Sequence, residues 1–291
     1  MVAIRHVALA LTLIALSLSS GRAGPLSSEP ASEPDSSANS SLFAQSAAQA
    51  LNHDFPSHDI SFLLLDARTG RVLASRWENP DTPIPVGSLL KPFTALAYGQ
   101  QHDYRFPNHT CRGTSTGCWL PRGHGDVNLT AAIAHSCNSY FRELTEDLNV
   151  SDVSPTAARF ELDPPGPETA GLEFAGLGSH WRTSPLRLAH AYLELVRQRQ
   201  QPGVHQILEG MALSAQQGTG AAVDRIFPAT HGLVKTGTAV CTHSRREPGD
   251  GFAVVLMPAD DPRILVMVRV HGVPGSQAAK TGGQMLRRIE E

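Results

Sequence analysis

The chain has 291 residues, 41% of them hydrophobic and 18% charged, with a formal net charge of −3. That length suits one large domain or two small ones, and the composition is that of a globular protein. The weakly acidic balance gives no basis for nucleic-acid binding, and no apolar run reaches the roughly 20 residues that a membrane helix needs.

The chain begins with a leader-like segment. Arg5 supplies a positive charge, Val7 to Leu18 is apolar apart from Thr12 and Ser17, and small residues surround Arg22 at Gly21 and Ala23. The pattern predicts a secretory signal peptide over residues 1–23, cleaved rather than kept as an anchor because the apolar run is short. Export to the periplasm or another extracytoplasmic space follows. Residues 24–41 are dominated by Ser, Pro, Glu and Ala. Such a segment cannot bury enough apolar surface to fold and is expected to be a disordered linker. The folded domain is expected over 42–291.

Leu42 to Phe55 reads as a helix. Ile60 to Asp66 is rich in strand formers, Asp66 to Gly70 is a turn signal, and Arg71 to Trp77 alternates apolar and polar residues, so a β-hairpin is predicted. A proline-broken loop follows, and then an apolar, helical segment from Ser88 to Tyr98. Residues 101–127, rich in Gly, Pro, His and polar groups, read as an irregular excursion. A short helix over Ala131 to His135, capped by Asn128 or Thr130, leads to Ser136, and Asn138 to Leu148 is helical by periodicity. Val150 to Ser179 reads as loop because of Pro155, Pro164, Pro165 and Pro167. Ser184 or Thr183 before Pro185 is a helix start, with that helix running to about Arg199 and another over about His205 to Gln216. Three strand-like runs close the chain, Gly232 to Cys241, Phe252 to Met257 and Ile264 to Val270, before a helix from Ser276 to Ile289 that Gly282 and Gly283 weaken. Two early strands and three late ones predict an α+β fold built on one mainly antiparallel sheet with helices packed on it.

The chemistry-bearing stretch is Val86 to Thr94. Ser88 and Lys91 are three apart and share a helical face, which sets a hydroxyl beside an amine that can take its proton. At a helix start, unpaired N–H groups near Ser88 can hold an oxyanion. Taken singly, the pair is equally a serine near a cap and a lysine on a solvated face. Two further stretches change that reading: Ser136-Cys137-Asn138, and Lys235-Thr236-Gly237-Thr238. The order S-x-x-K, S-x-N, K-T-G resembles penicillin-binding proteins and serine β-lactamases. Leu65 to Ala74 is similar to the D-x-x-T-G opening of class B penicillin-binding protein transpeptidase domains, and Gly87-Ser-Leu-Leu-Lys-Pro-Phe93 to their G-S-x-x-K-P-F. Gly176 to Gly178, Thr183 to Ala189 and Gly218-Thr-Gly220 extend the resemblance, which spans about Ile60 to Val270.

The resemblance implies a five-stranded sheet flanked by helices with an all-helical lobe. It implies a D,D-transpeptidase or D,D-peptidase that acts on peptidoglycan stem peptides ending in D-Ala-D-Ala and binds β-lactams covalently. Ser88 would be the acylated nucleophile and Lys91 its base, its pKa lowered by burial and by Lys235. Ser136 would relay the proton to the leaving amine and Asn138 would hold the substrate's peptide group. Lys235, Thr236 and Thr238, around Gly237, would bind its carboxylate, and the N–H groups of Ser88 and Thr238 would form the oxyanion hole. A serine β-lactamase and a non-catalytic β-lactam or peptidoglycan sensor are the alternatives. Against the first, no glutamate motif of the class A kind and no Tyr-Gly-Asn of the class D kind occurs.

Export places the four cysteines in an oxidising compartment. Cys111 and Cys118 bracket a polar loop with two glycines, and a disulfide between them is expected. Zinc is the rival, with His109 and His124 nearby, but the spacing matches no standard zinc pattern. No metal or cofactor is therefore expected. Cys137 and Cys241 are free or paired across the cleft.

Overall fold

The computed structural model describes residues 36–241 and 248–291. The predicted signal peptide and most of the predicted linker lie outside the described residues. Helix α1, Ser36–Asp54, precedes the hairpin of β1, Ile60–Asp66, and β2, Val72–Arg76. Helix α2, Lys91–Gln101, follows a 3-10 turn over Gly87–Leu90. Next come a short hairpin, β3 His109–Cys111 and β4 Gly125–Val127, and the helices α3, Leu129–Ala134, α4, Asn138–Leu144, and α5, Val150–Arg159. Helices α6, Pro185–Arg197, α7, Val204–Gln217, and α8, Ala222–Ile226, complete the middle of the chain. Strands β5, Leu233–Ala239, β6, Asp250–Met257, and β7, Ile264–His271, lead to α9, Gly275–Glu290.

The five long strands form one antiparallel sheet in the order β2-β1-β7-β6-β5, so the early hairpin docks through β1 onto the last strand. Along β6, Phe252, Val254 and Leu256 enter one apolar cluster, and Ala253, Val255 and Met257 enter another. A strand with both faces covered reads as a continuous apolar run rather than an alternation. One face carries α1 and α9, through Ala47, Leu51, Ala278 and Met285. The other carries the helical lobe, through Leu89, Phe93, Tyr192 and Leu195. Gly282 and Gly283 let α9 lie close: a Cβ at Gly283 would stand 2.9 Å from Ile226, and one at Gly282 would touch three sheet valines. The two glycines that weaken the helix by propensity serve its packing.

The α+β fold with a five-stranded antiparallel sheet is as the sequence implies. Three expectations are corrected. Helix α1 starts at Ser36, so residues 36–41 extend a helix anchored by Ala47 and Leu51; once a helix is nucleated, further turns add a hydrogen bond per residue fixed. Residues 150–159 are helical, not loop. Asn149 and Asp152 form a capping box, and Pro155 sits on the solvent side, while Val153, Thr156 and Ala157 are buried. The 101–127 excursion contains the β3–β4 hairpin, paired His109 to Val127 and Cys111 to Gly125.

Candidate active site

Ser88 lies in the 3-10 turn before α2, and Lys91 is the first residue of that helix, with Pro92 in its first turn, where the missing N–H removes no ladder bond. The turn is wedged against β5, the edge strand of the sheet. Gly87 has φ of 60°, and a Cβ there would stand 2.4 Å from the carbonyl oxygen of Thr238. A Cβ at Gly237 would stand 2.6 Å from that of Val86. Glycine at both positions is thus the condition for bringing Ser88 to the strand carrying Lys235 and Thr238. The turn is braced from behind by Tyr192, whose hydroxyl donates to the Leu89 carbonyl at 2.8 Å, and by a bridge between Ile84 and Thr183.

Ser136 lies between α3 and α4, and Asn138, beyond the N-cap Cys137, opens α4. Asn128 rather than Thr130 caps α3, accepting from Ala131 N–H. Ser136 takes the left-handed conformation at φ 49°, uncommon for a side-chain-bearing residue and concentrated at functional sites. Two fully buried lysines converge on it. Lys91 Nζ donates to the Ser136 carbonyl at 2.8 Å, to Ser136 Oγ at 3.4 Å and to Asn138 Oδ1 at 2.7 Å. Lys235 Nζ donates to Ser136 Oγ at 3.0 Å and to the Thr236 carbonyl at 2.7 Å. Burial pushes the Lys91 ammonium down to about 7. Lys235 is pushed well below the lysine range, first by burial and then by the charge of Lys91. Desolvation disfavours the charged form, and two ammonium groups sharing one hydroxyl disfavour it further.

These groups open into a cleft of about 720 Å³, lined among others by Ser88, Ser136, Asn138, Thr236, Gly237 and Thr238. The eight sequence-designated site residues are thus brought into one neighbourhood, with Lys91 and Lys235 beneath the surface and the rest on or beside it. Thr236 Oγ1 donates to Thr219 Oγ1 at 2.6 Å, and Gly275 N–H donates to Thr238 Oγ1 at 3.0 Å. Sequence reasoning did not single out Arg225 and Lys280, which add positive charge to the cleft, nor Trp119 and His135, which with His124 form another wall. Lone basic or aromatic residues on helices and loops carry no spacing signal. Among the described lining residues none is a carboxylate.

The cysteines correct the sequence expectation: Cys111 and Cys118 form no disulfide, and like Cys137 they carry buried free thiols. His109 does not join them; its ring is bonded to Glu143 and, at 2.6 Å, to Ser139. His124 does, with Nδ1 3.6 Å from Cys111 Sγ and 3.4 Å from Cys118 Sγ. Burial, with His135 and Lys91 nearby, pushes the His124 imidazole down to about 4, so it is neutral at pH 7.

Residues 60–290 match the family model described as penicillin binding protein transpeptidase domain. No curated protein sequence matches the chain. Among solved structures, the chain is similar to PBP2 of Pseudomonas aeruginosa, with TM-score 0.67 and 18% identity over 86% of this chain and 73% of that one. It is similar to the transpeptidase domain of Burkholderia pseudomallei penicillin-binding protein 3, with TM-score 0.65 and 18% identity over 92% and 96%. It is also similar to Helicobacter pylori PBP2, solved in complex with MreC, with TM-score 0.67 and 16% identity over 84% of this chain and 62% of that one.

Proposed function

This chain belongs to the penicillin-binding protein transpeptidase domain family, and from that premise we propose that it is a serine acyl-transferase of peptidoglycan, acting through an acyl intermediate on Ser88. Its donor is a stem peptide ending in D-Ala-D-Ala, and β-lactams acylate the same serine. The observation that carries the reading is the meeting of two buried lysines on Ser136 Oγ, beside Ser88, in one cleft. A lysine with a pKa of about 7 has a large neutral fraction at neutral pH and can act as a general base.

In the reaction, Ser88 Oγ attacks the carbonyl carbon between the two D-alanines, and neutral Lys91 takes the hydroxyl proton. Lys91 exchanges one of its present bonds, to Asn138 or Ser136, for that to Ser88, as catalytic hydrogen bonds commonly tighten only with substrate bound. The backbone N–H groups of Ser88 and Thr238 stabilise the oxyanion. Ser136 passes a proton to the departing D-Ala amine, Asn138 holds the peptide group, and Lys235, Thr236 and Thr238 receive the terminal carboxylate, with Arg225 and Lys280 adding to the positive field. An amine of a second stem, or water, then releases the acyl group. That no carboxylate lines the cleft among the described residues favours a transferase over a β-lactamase, which must activate a water against its penicilloyl ester. Export, read from the leader, would place the protein with its substrate.

The test is intact-mass analysis after incubation with penicillin, followed over hours. One penicilloyl group on Ser88, absent from Ser88→Ala, and turnover of a D-Ala-D-Ala ester are expected. Rapid nitrocefin hydrolysis without a lasting adduct would make the protein a β-lactamase, and a stable adduct with no ester turnover would make it a sensor.

A further inference from the structure

Cys111 ends β3, Cys118 follows the turn over residues 113–116, His124 precedes β4, and Cys137 is the residue between Ser136 and Asn138. Four separate points of the chain thus supply one ligand atom each, and all four atoms lie within 4.8 Å of one another. The separations are those of a coordination shell. A tetrahedral zinc ion with Zn–S of about 2.3 Å and Zn–N of about 2.0–2.1 Å sets sulfurs about 3.8 Å apart and sulfur and nitrogen about 3.6 Å apart. Here Cys118 Sγ and Cys137 Sγ are 3.9 Å apart, and His124 Nδ1 is 3.4 Å from Cys118 Sγ and 3.6 Å from Cys111 Sγ. A disulfide needs about 2.05 Å. The three sulfurs are buried, while the histidine reaches the cleft wall. The loop is folded tightly to achieve this: a Cβ at Gly123 would stand 2.2 Å from the Cys111 carbonyl oxygen, and one at Gly113 would stand 2.0 Å from that of Pro121.

We propose that Cys111, Cys118, His124 and Cys137 bind one zinc ion, and that the ion clamps the Ser136-Cys137-Asn138 segment to the 109–127 excursion. Three thiolates and an imidazole in tetrahedral array select zinc among the common divalent cations, and no ligand position is left for substrate, so the site is structural. Binding releases the three thiol protons, and no electron transfer is involved. The consequence reaches the acylation site, because Cys137 is covalently joined to both residues that bond Lys91.

The exported protein, produced with zinc in the medium and purified without chelator, should contain one zinc per chain by elemental mass spectrometry. Exchange for Co²⁺ should give thiolate-to-cobalt charge transfer and the intense visible bands of a tetrahedral sulfur-rich site. Cys118→Ser and His124→Ala should lose the metal, and Ser88→Ala should keep it, so the metal can be read whether or not the serine is acylated. Cys241→Ser should also keep it, although Cys241, Asp250 and His271 form a second cluster of three donors. If the variants fail to fold, the wild-type protein decides: iodoacetamide should spare Cys111, Cys118 and Cys137 until a chelator is added. A Cys111–Cys118 disulfide in a non-reducing peptide map, zinc no higher than in a blank, or metal lost with Cys241→Ser but kept with Cys118→Ser would overturn the proposal.

Discussion

Gly237→Ala isolates the contact that joins the nucleophile to the sheet. The added Cβ would stand 2.6 Å from the Val86 carbonyl oxygen and 3.2 Å from Leu89 N, both backbone atoms that no rotamer change can move aside. Carbon and oxygen are comfortable at about 3.3 Å or beyond, so the Ser88 turn and β5 must part by about 0.7 Å. Catalytic groups tolerate displacements of about 0.5 Å, and about 1 Å can cost on the order of 10²-fold. The second-order rate of acylation by penicillin should therefore fall about 10- to 100-fold, or about 1.4–2.7 kcal/mol of barrier. Overpacking should cost about 1–3 kcal/mol of stability as well. Gly283→Ala is the control, since the one tight contact of its Cβ would be with the Cδ1 end of Ile226 at 2.9 Å, the Val223 atoms at 3.5 and 3.6 Å being in ordinary contact, on the far side of the sheet. Stopped-flow acylation with a fluorescent penicillin, beside thermal unfolding of both variants, separates the effects. Wild-type acylation in folded Gly237→Ala, or an equal slowing in Gly283→Ala, would refute the reasoning.

Lys91→Met should slow acylation by about 10²–10⁴-fold, the usual worth of a general base; an unchanged rate in stopped-flow would remove Lys91 from that role. In the wild type, acylation should rise with pH and level off above an inflection near 7, because Lys91 accepts a proton only when neutral and is increasingly protonated below its pKa of about 7; a rate that falls through that range would have the wrong sign. The penicilloyl adduct on Ser88 should persist for minutes to hours by mass spectrometry, because no described carboxylate lines the cleft to activate water, whereas hydrolysis at many turnovers per second would contradict this. Asn149→Ala should lower stability by about 1 kcal/mol in urea unfolding through loss of the α5 capping box, and an unchanged midpoint would show that the cap contributes nothing.

The strands and the motifs were legible because their signals are local. Ile60 to Asp66 and Ile264 to Val270 are short apolar runs rich in strand formers, and S-x-x-K places its two residues on one face by helical spacing alone. Over 150–159 the proline reads as a helix breaker, yet Asn149 and Asp152 form a capping box, and tertiary burial of Val153 and Ala157 overrides the local penalty. What the sequence by itself determined is which residues could do the chemistry and in what order along the chain they occur. Only the tertiary structure decided that Ser136 Oγ receives both Lys91 and Lys235, because their meeting depends on how α3 and β5 close around α2. It likewise decided that Cys118 lies near His124 and Cys137 rather than bonded to Cys111. Spacing fixes how far two cysteines can separate, but the path of the hairpin between them fixes where the sulfurs point.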